Sequence, residues 1–193
     1  MARIGAEERR QDFIEATIKV IAEHGIANAT TRRIAASAGS PLASLHYVFH
    51  TKDELFYAVY ESLINVPRDS LQQASTGATT AESVADILRQ LVKWFTAQPE
   101  LVITQFDLLF WNLRNNPEMA AKMYTVSLEA VQEAIAKVSG ATLDQAALTT
   151  ISRLLINLFD GLLLAWSAHG DSERLEAETE AACQAVTLLV ASY

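Results

Sequence analysis

The sequence predicts an all-α protein of about nine helices: an N-terminal three-helix, helix-turn-helix head over residues 1–52 and a larger helical domain over 53–193. Three observations predict this. No segment sustains the period-two alternation of a half-buried strand. Apolar residues recur instead at steps of three and four along nearly the whole chain. The stretch Thr30–Lys52, TTRRIAASAGSPLASLHYVFHTK, reads as two short helices joined by a tight turn.

Thr30 or Thr31 can cap the first short helix, because a hydroxyl satisfies an orphan N–H at a helix start. Ile34, Ala35 and Ala38 give it a narrow apolar stripe. Ala35 is small enough for two steeply crossing helices to approach. Gly39 falls where a helix end needs a residue that tolerates positive φ. Ser40 as N-cap and Pro41 as first helical residue restart the chain. Leu45, Val48 and Phe49 form the buried face of the second helix, Pro41–Phe49. Leu42, Ala43, Ser44, His46, Tyr47 and His50 are left facing outward. Small, hydroxylated and aromatic side chains on the open face of a short helix suit the major groove of double-stranded DNA.

Gly25, Thr30-Thr31, Ile34-Ala35, Ala38-Gly39, Leu45, Phe49, Lys52 and Leu55 form a pattern that resembles the DNA-binding domain of the TetR family of transcriptional repressors. The resemblance covers about the first third of the chain. It departs from the family pattern at Ser40, Ala43, His46 and Val48. By this resemblance Thr31, Arg32, Tyr47 and Lys52 match positions that contact phosphates. Leu42, Ala43, Ser44 and His46 match positions near base edges. Leu42 and Ala43 offer only apolar contact, so readout should lean on DNA shape and phosphate geometry.

The remaining elements follow in order. Residues 7–24 make the first helix, with Phe13, Thr17, Val20 and Ile21 at helical spacing, and Gly25 stops it. It should pack across the back of the reading pair, and Arg9 and Arg10 near its start could reach phosphates. Thr51 caps a fourth helix whose first turn carries Asp53 and Glu54, where negative charge suits the helix dipole. Pro67 is expected to end or bend it. Gln73–Thr80, QASTGATT, reads as a loop. Helices are then expected over Ala81–Ala97, from Pro99 to the break at Asn115-Asn116-Pro117, and over Glu118–Val138 with Gly140 as its stop.

Two long helices close the chain, Leu143–His169 and Ser172–Ser192, separated by Gly170-Asp171. The first is apolar on more than one side, so it must bury more than one side. One side can meet its own domain, and the other calls for a second copy of the chain. Two such helices per subunit form a four-helix bundle across a two-fold axis, with Leu155, Leu158, Leu162, Trp166, Ala182, Val186 and Leu189 expected in the seam. The family resemblance implies the same homodimer.

Composition narrows the class. Half of the 193 residues are hydrophobic and 20% are charged, a globular balance. The longest apolar stretch, around Leu154–Trp166, is broken by Asn157 and Asp160 and falls short of the roughly 20 residues of a membrane helix. The N-terminus lacks a signal peptide's apolar core, so a cytoplasmic protein with no membrane partner is expected. The lone Cys183 leaves no disulfide framework and reads as a buried thiol. Net charge is −8, yet residues 1–52 carry seven Lys/Arg against five acids, while the rest carries eight against eighteen. A basic head on an acidic body can bind DNA while limiting non-specific association.

No glycine-rich phosphate loop, HExxH or Cys/His cluster is present, so no enzyme activity, cofactor or metal is expected. His46 and His50 lie four apart, but no carboxylate or cysteine stands in register with them. Trp94, Phe106, Phe110 and Trp111 interleave with Asp107, Arg114, Asn157 and Asp160, a mixture that suits a small-molecule pocket. The family resemblance implies that these residues bind an effector. The expected protein is therefore a homodimeric repressor that binds a palindromic operator and is released by a small molecule. The rival is a helical sensor or carrier that no longer reads DNA.

Overall fold

The computed structural model describes residues 5–73, 79–140 and 142–193, with the backbone alone for residues 66–73. The described residues form nine α-helices and a short 3-10 turn, with no strand. In order they are α1 (Ala6–His24), the turn Ile26–Asn28, α2 (Thr31–Ser37), α3 (Leu42–Val48), α4 (Lys52–Gln73), α5 (Thr80–Thr96), α6 (Pro99–Asn115), α7 (Pro117–Ser139), α8 (Gln145–His169) and α9 (Ser172–Val190).

Local chemistry fixes most helix starts. The Arg33 N–H donates to Thr30 Oγ1 at 3.3 Å, which makes Thr30 the cap of α2. The Glu54 N–H donates to Thr51 Oγ1 at 3.0 Å, while the Glu54 carboxylate reaches back to accept from the His50 N–H at 2.9 Å. Thr79 and Glu82 form a reciprocal capping box on α5. Asp144 and Asp171 cap α8 and α9.

Three expectations need correction. Pro41, not Ser40, is the N-cap of α3, and Leu42 is its first helical residue. The Ser40 hydroxyl donates to the Ala38 carbonyl instead, so it closes the turn behind it. Pro67 does not end α4, which continues to Gln73, so only the bend remains of that expectation. The ring removes one helical N–H, but hydrogen bonds on either side can carry the backbone through. α8 is apolar enough over 18 residues, at mean hydropathy 1.4, to match a membrane span by length and composition. Its Ile151, Leu155, Phe159 and Leu163 are buried within the chain, as in the core helix of a globular unit. Of the expected loop Gln73–Thr80, residues 74–78 lie outside the described residues.

Close packing divides the chain into two units: residues 1–63 with 99–123, and residues 64–98 with 124–193. In the first, α1 packs on α2, α3 and α6. Phe13, Ile14, Ile21, Ile34, Leu45, Phe49 and Leu55 are all essentially fully buried there. Each such side chain contributes about 1.5–3 kcal/mol of burial free energy, which is what aligns two short helices too brief to be stable alone. In the second unit α5, α8 and α9 pack on one another around Leu88, Phe95, Leu155, Leu163 and Val186.

Candidate nucleic-acid interface and effector region

The reading pair is built from the core outward. Ala35 at 2% exposure and Leu45 at 1% occupy the interior beside α1. Gly39, at φ +60°, makes the turn between α2 and α3, a backbone state L side chains rarely adopt. With Leu45 and Phe49 turned in, the opposite face of α3 is left to solvent. Ala43, His46 and Tyr47 are exposed, Tyr47 by 82%. Leu42, Ser44 and Val48 are half-buried at the margins of that face. Arg32 is exposed and Thr31 half-buried on α2.

Two basic residues of this unit sit on aromatic rings. The Arg10 guanidinium lies 5.4 Å from the centre of Phe49. The Lys52 ammonium lies 4.7 Å from the ring centre of Phe56 and 5.6 Å from that of Trp111. Burial lowers the Lys52 ammonium from the ordinary lysine range, and the adjacent Asp53 opposes the shift. A cation between two π faces is attracted by both ring quadrupoles, which fixes Lys52 at the start of α4. The pairing with Trp111 spans 59 positions of sequence and left no local signal in either segment.

The residues expected to bind an effector fall in both units. In the first, Phe106 is buried and stacks on Phe110, with ring centres 6.0 Å apart. Phe110 is 43% exposed, Trp111 is half-buried and Arg114 is exposed. Asp107 takes a structural part: its Oδ2 accepts from the Ile26 N–H at 3.1 Å. Nearby, the Thr104 hydroxyl donates to the Ile18 carbonyl at 3.4 Å, so α6 is tied both to α1 and to the turn that follows it. Sequence reasoning missed both bonds.

In the second unit, Trp94 is half-buried and meets Phe95 edge to face at 4.8 Å, and Phe95 in turn meets Phe159 at 5.1 Å. Asn157 is exposed and accepts from the Tyr124 hydroxyl at 3.4 Å. Asp160 is half-buried, and burial pushes its carboxyl up to about 6.

Of the residues expected in a dimer seam, Leu155, Leu162, Ala182 and Val186 are buried by the chain's own helices. Leu158, Trp166 and Leu189 are half-buried. Trp166 is turned so that its indole N–H donates to the Ser172 hydroxyl at 3.4 Å. The apolar side chains that α8 and α9 leave open are Leu164, 49% exposed, and Leu188, 75% exposed. A stripe read at steps of three and four picks out the most apolar side of a helix. The chain's own core claims that side first. Among the described residues, no cluster of His, Cys, Asp or Glu suits a metal ion.

Residues 13–59 match the family model of the bacterial regulatory proteins of the TetR family. Over 175 residues the chain is 27% identical to the HTH-type nicotine-responsive transcriptional repressor HdnoR of Paenarthrobacter nicotinovorans, covering 89% of this chain and 90% of that one. It is 32% identical over 104 residues to the HTH-type transcriptional regulator BetI of Rhizobium meliloti, 53% of this chain and 51% of that one. Among solved structures, the multidrug binding protein EbrR complexed with ethidium superposes with a TM-score of 0.68 at 26% identity, covering 94% of this chain and 98% of that one. A transcriptional regulator from Rhodococcus sp. RHA1 shares the fold at a TM-score of 0.75 and 20% identity, covering 92% and 95%.

Proposed function

Because this chain belongs to the TetR family of transcriptional regulators, we propose that it is a homodimeric repressor that reads a palindromic operator and leaves it when a small molecule binds. Residues 1–52 are the DNA-binding domain and residues 53–193 the effector-binding and dimerisation domain. It acts in the cytoplasm and performs no catalysis. The observation that carries this reading is the open face of α3: Ala43, His46 and Tyr47 stand in solvent while Leu45 anchors the helix from behind. Such a helix can enter a major groove without unfolding anything.

In the dimer, two heads about 34–36 Å apart would address successive turns of DNA. Thr31, Arg32, Tyr47 and Lys52 set the register on phosphates. Leu42, Ala43, Ser44 and His46 face base edges. The dimer forms on the open sides of α8 and α9. There Leu164 and Leu188 are the apolar anchors, flanked by the half-buried Leu158 and Leu189 and by the exposed small residues Gly161, Ala177 and Ala181.

The effector is a small organic cation. HdnoR is nicotine-responsive and EbrR was solved complexed with ethidium; nicotine takes up a proton to become a cation and ethidium is a permanent one, and both carry aromatic rings. In this chain Asp160 supplies a half-buried carboxylate, with Asn157 and Trp94 as the hydrogen-bonding and aromatic groups of the same unit. The effector releases DNA by binding one head spacing more tightly than the other, with α4 as the transmitting element.

A gel shift on the DNA upstream of the protein's own gene, over a salt series, tests the reading. Affinity should fall with a log–log slope of roughly 0.9 per phosphate neutralised. Absence of a shift at low salt would reject DNA readout and favour a small-molecule sensor or carrier.

A further inference from the structure

We propose a second small-molecule site in the α5/α8/α9 unit, independent of the DNA reading, that takes a zwitterion with an apolar body, of the aromatic amino acid class. It occupies a groove of about 510 Å³ between the last turns of α5 and α8 and the first turns of α9, a volume in the range of small-ligand sites. None of the effector candidates Trp94, Asn157 and Asp160 lines it.

The argument starts from helix register. α5 and α9 are antiparallel, as two cross-helix contacts establish. The Cys183 thiol donates to the Ala85 carbonyl at 3.4 Å. One turn forward on α5 and one turn back on α9, Arg89 grips Glu180 with both prongs, Nε to Oε1 at 2.6 Å and Nη2 to Oε2 at 3.0 Å. Asp86 takes the remaining side of that guanidinium. One more turn along places Lys93 opposite Glu176. Opposite charges in that position should close a third rung. They do not: both side chains are exposed and, among the described residues, neither makes an ion pair or a hydrogen bond, and both line the groove.

The groove is thus a missing rung with a free ammonium on one wall and a free carboxylate on the other. Val92 and Leu175 line it as apolar surface, and Trp166 supplies an aromatic ring. Thr179, 5% exposed, also lines it, and its hydroxyl has no hydrogen-bond partner. Thr17, Thr96, Thr149, Thr150 and Thr187 all donate to the carbonyl four residues earlier, so the orphan Thr179 hydroxyl departs from the chain's own habit. A buried hydroxyl without a partner carries a desolvation penalty that a ligand's polar atom would relieve. Arg89 is already saturated by two carboxylates, so a simple anion finds only Lys93 and is repelled by Glu176. A simple cation meets the reverse. A molecule carrying both charges satisfies both walls, and its ring covers the apolar floor.

Calorimetric titration of the full-length chain with L-phenylalanine, 3-phenylpropionate and phenethylamine tests this. The amino acid should bind saturably, at least about tenfold more tightly than either analogue that lacks one charge. Lys93→Met should erase the preference over phenethylamine, and Glu176→Gln the preference over 3-phenylpropionate. Both positions are exposed, so circular dichroism should show unchanged helicity. Equal affinity for the three molecules, no saturable binding of L-phenylalanine, or full binding by both variants overturns the site. A parallel gel shift with the same variants keeps this result separate from DNA readout, because Lys93→Met and Glu176→Gln leave operator affinity in the absence of amino acid unchanged.

Discussion

The carboxylate of Asp107 holds the backbone N–H of Ile26 at 3.1 Å, 81 residues away in sequence. Ile26 opens the turn between α1 and α2, directly after Gly25, whose φ of +73° sets the chain's exit from α1. The bond therefore ties the middle of α6 to the segment that orients the reading pair. Asp107→Ala leaves the Ile26 N–H without this acceptor, which should destabilise the protein by about 1–3 kcal/mol. Asp107→Asn keeps an oxygen acceptor and should lose less than half of that. Chemical denaturation checks both. Operator affinity of Asp107→Ala should fall as well, measured at a temperature where the variant stays folded.

The open face of α3 separates two kinds of loss. If Tyr47 contacts phosphate as proposed, Tyr47→Ala should weaken binding to all DNA sequences alike, because such a contact carries no base information. His46→Ala should change the ranking of operator variants instead. Both side chains are exposed, so stability should move by no more than about 0.5 kcal/mol. A binding-site selection with each variant reads the difference. An unchanged ranking for His46→Ala would show that the base-reading face lies elsewhere.

If the chain dimerises on α8 and α9 as proposed, Leu164→Glu and Leu188→Glu should yield monomer by light scattering after gel filtration. Each puts a charge on an apolar position that the folded chain leaves to solvent. Operator affinity should collapse with dimerisation, since two heads then bind independently. Leu155→Ala is the contrasting variant. Leu155 is buried within the chain, so that change should lower the free energy of unfolding by about 2–5 kcal/mol whatever the oligomeric state.

Asp160 makes stability depend on pH in a stated direction. Burial raises its folded carboxyl from 3.8 to about 6. The native state therefore holds that proton more tightly than the unfolded chain does. Its contribution to stability is fully present below pH 4 and is lost as pH rises through 6. Asp160→Asn cannot ionise and should be more stable than the parent at pH 8, by on the order of 2–3 kcal/mol, with the gap closing toward pH 4. Denaturant titrations at the two pH values measure it. The same substitution should abolish the response to a cationic effector.

The all-helical fold and the reading pair were legible in the sequence because their signals are local. Thr30 and Thr51 cap the next helix through residues three positions on. Gly39 turns the chain within its own neighbourhood, and the Leu45–Phe49 spacing assigns the faces of α3 within a single turn. The assignment of faces on α8 and α9 was less legible. Leu155 and Leu164 are equally apolar, and periodicity does not say which of two apolar sides the chain covers itself.

By itself, the sequence determined where helices start and stop, which short helix presents a polar face, and to which family that pattern belongs. These are properties of residues within a few positions of one another, governed by caps, φ restrictions and the helical period. Only the tertiary structure decided that Asp107 holds Ile26, that Lys52 rests on Trp111, and that Arg89 meets Glu180 while Lys93 and Glu176 stay apart. Those pairings arise from helix register across tens of residues. A chain's local preferences do not encode which turn of one helix will stand opposite which turn of another.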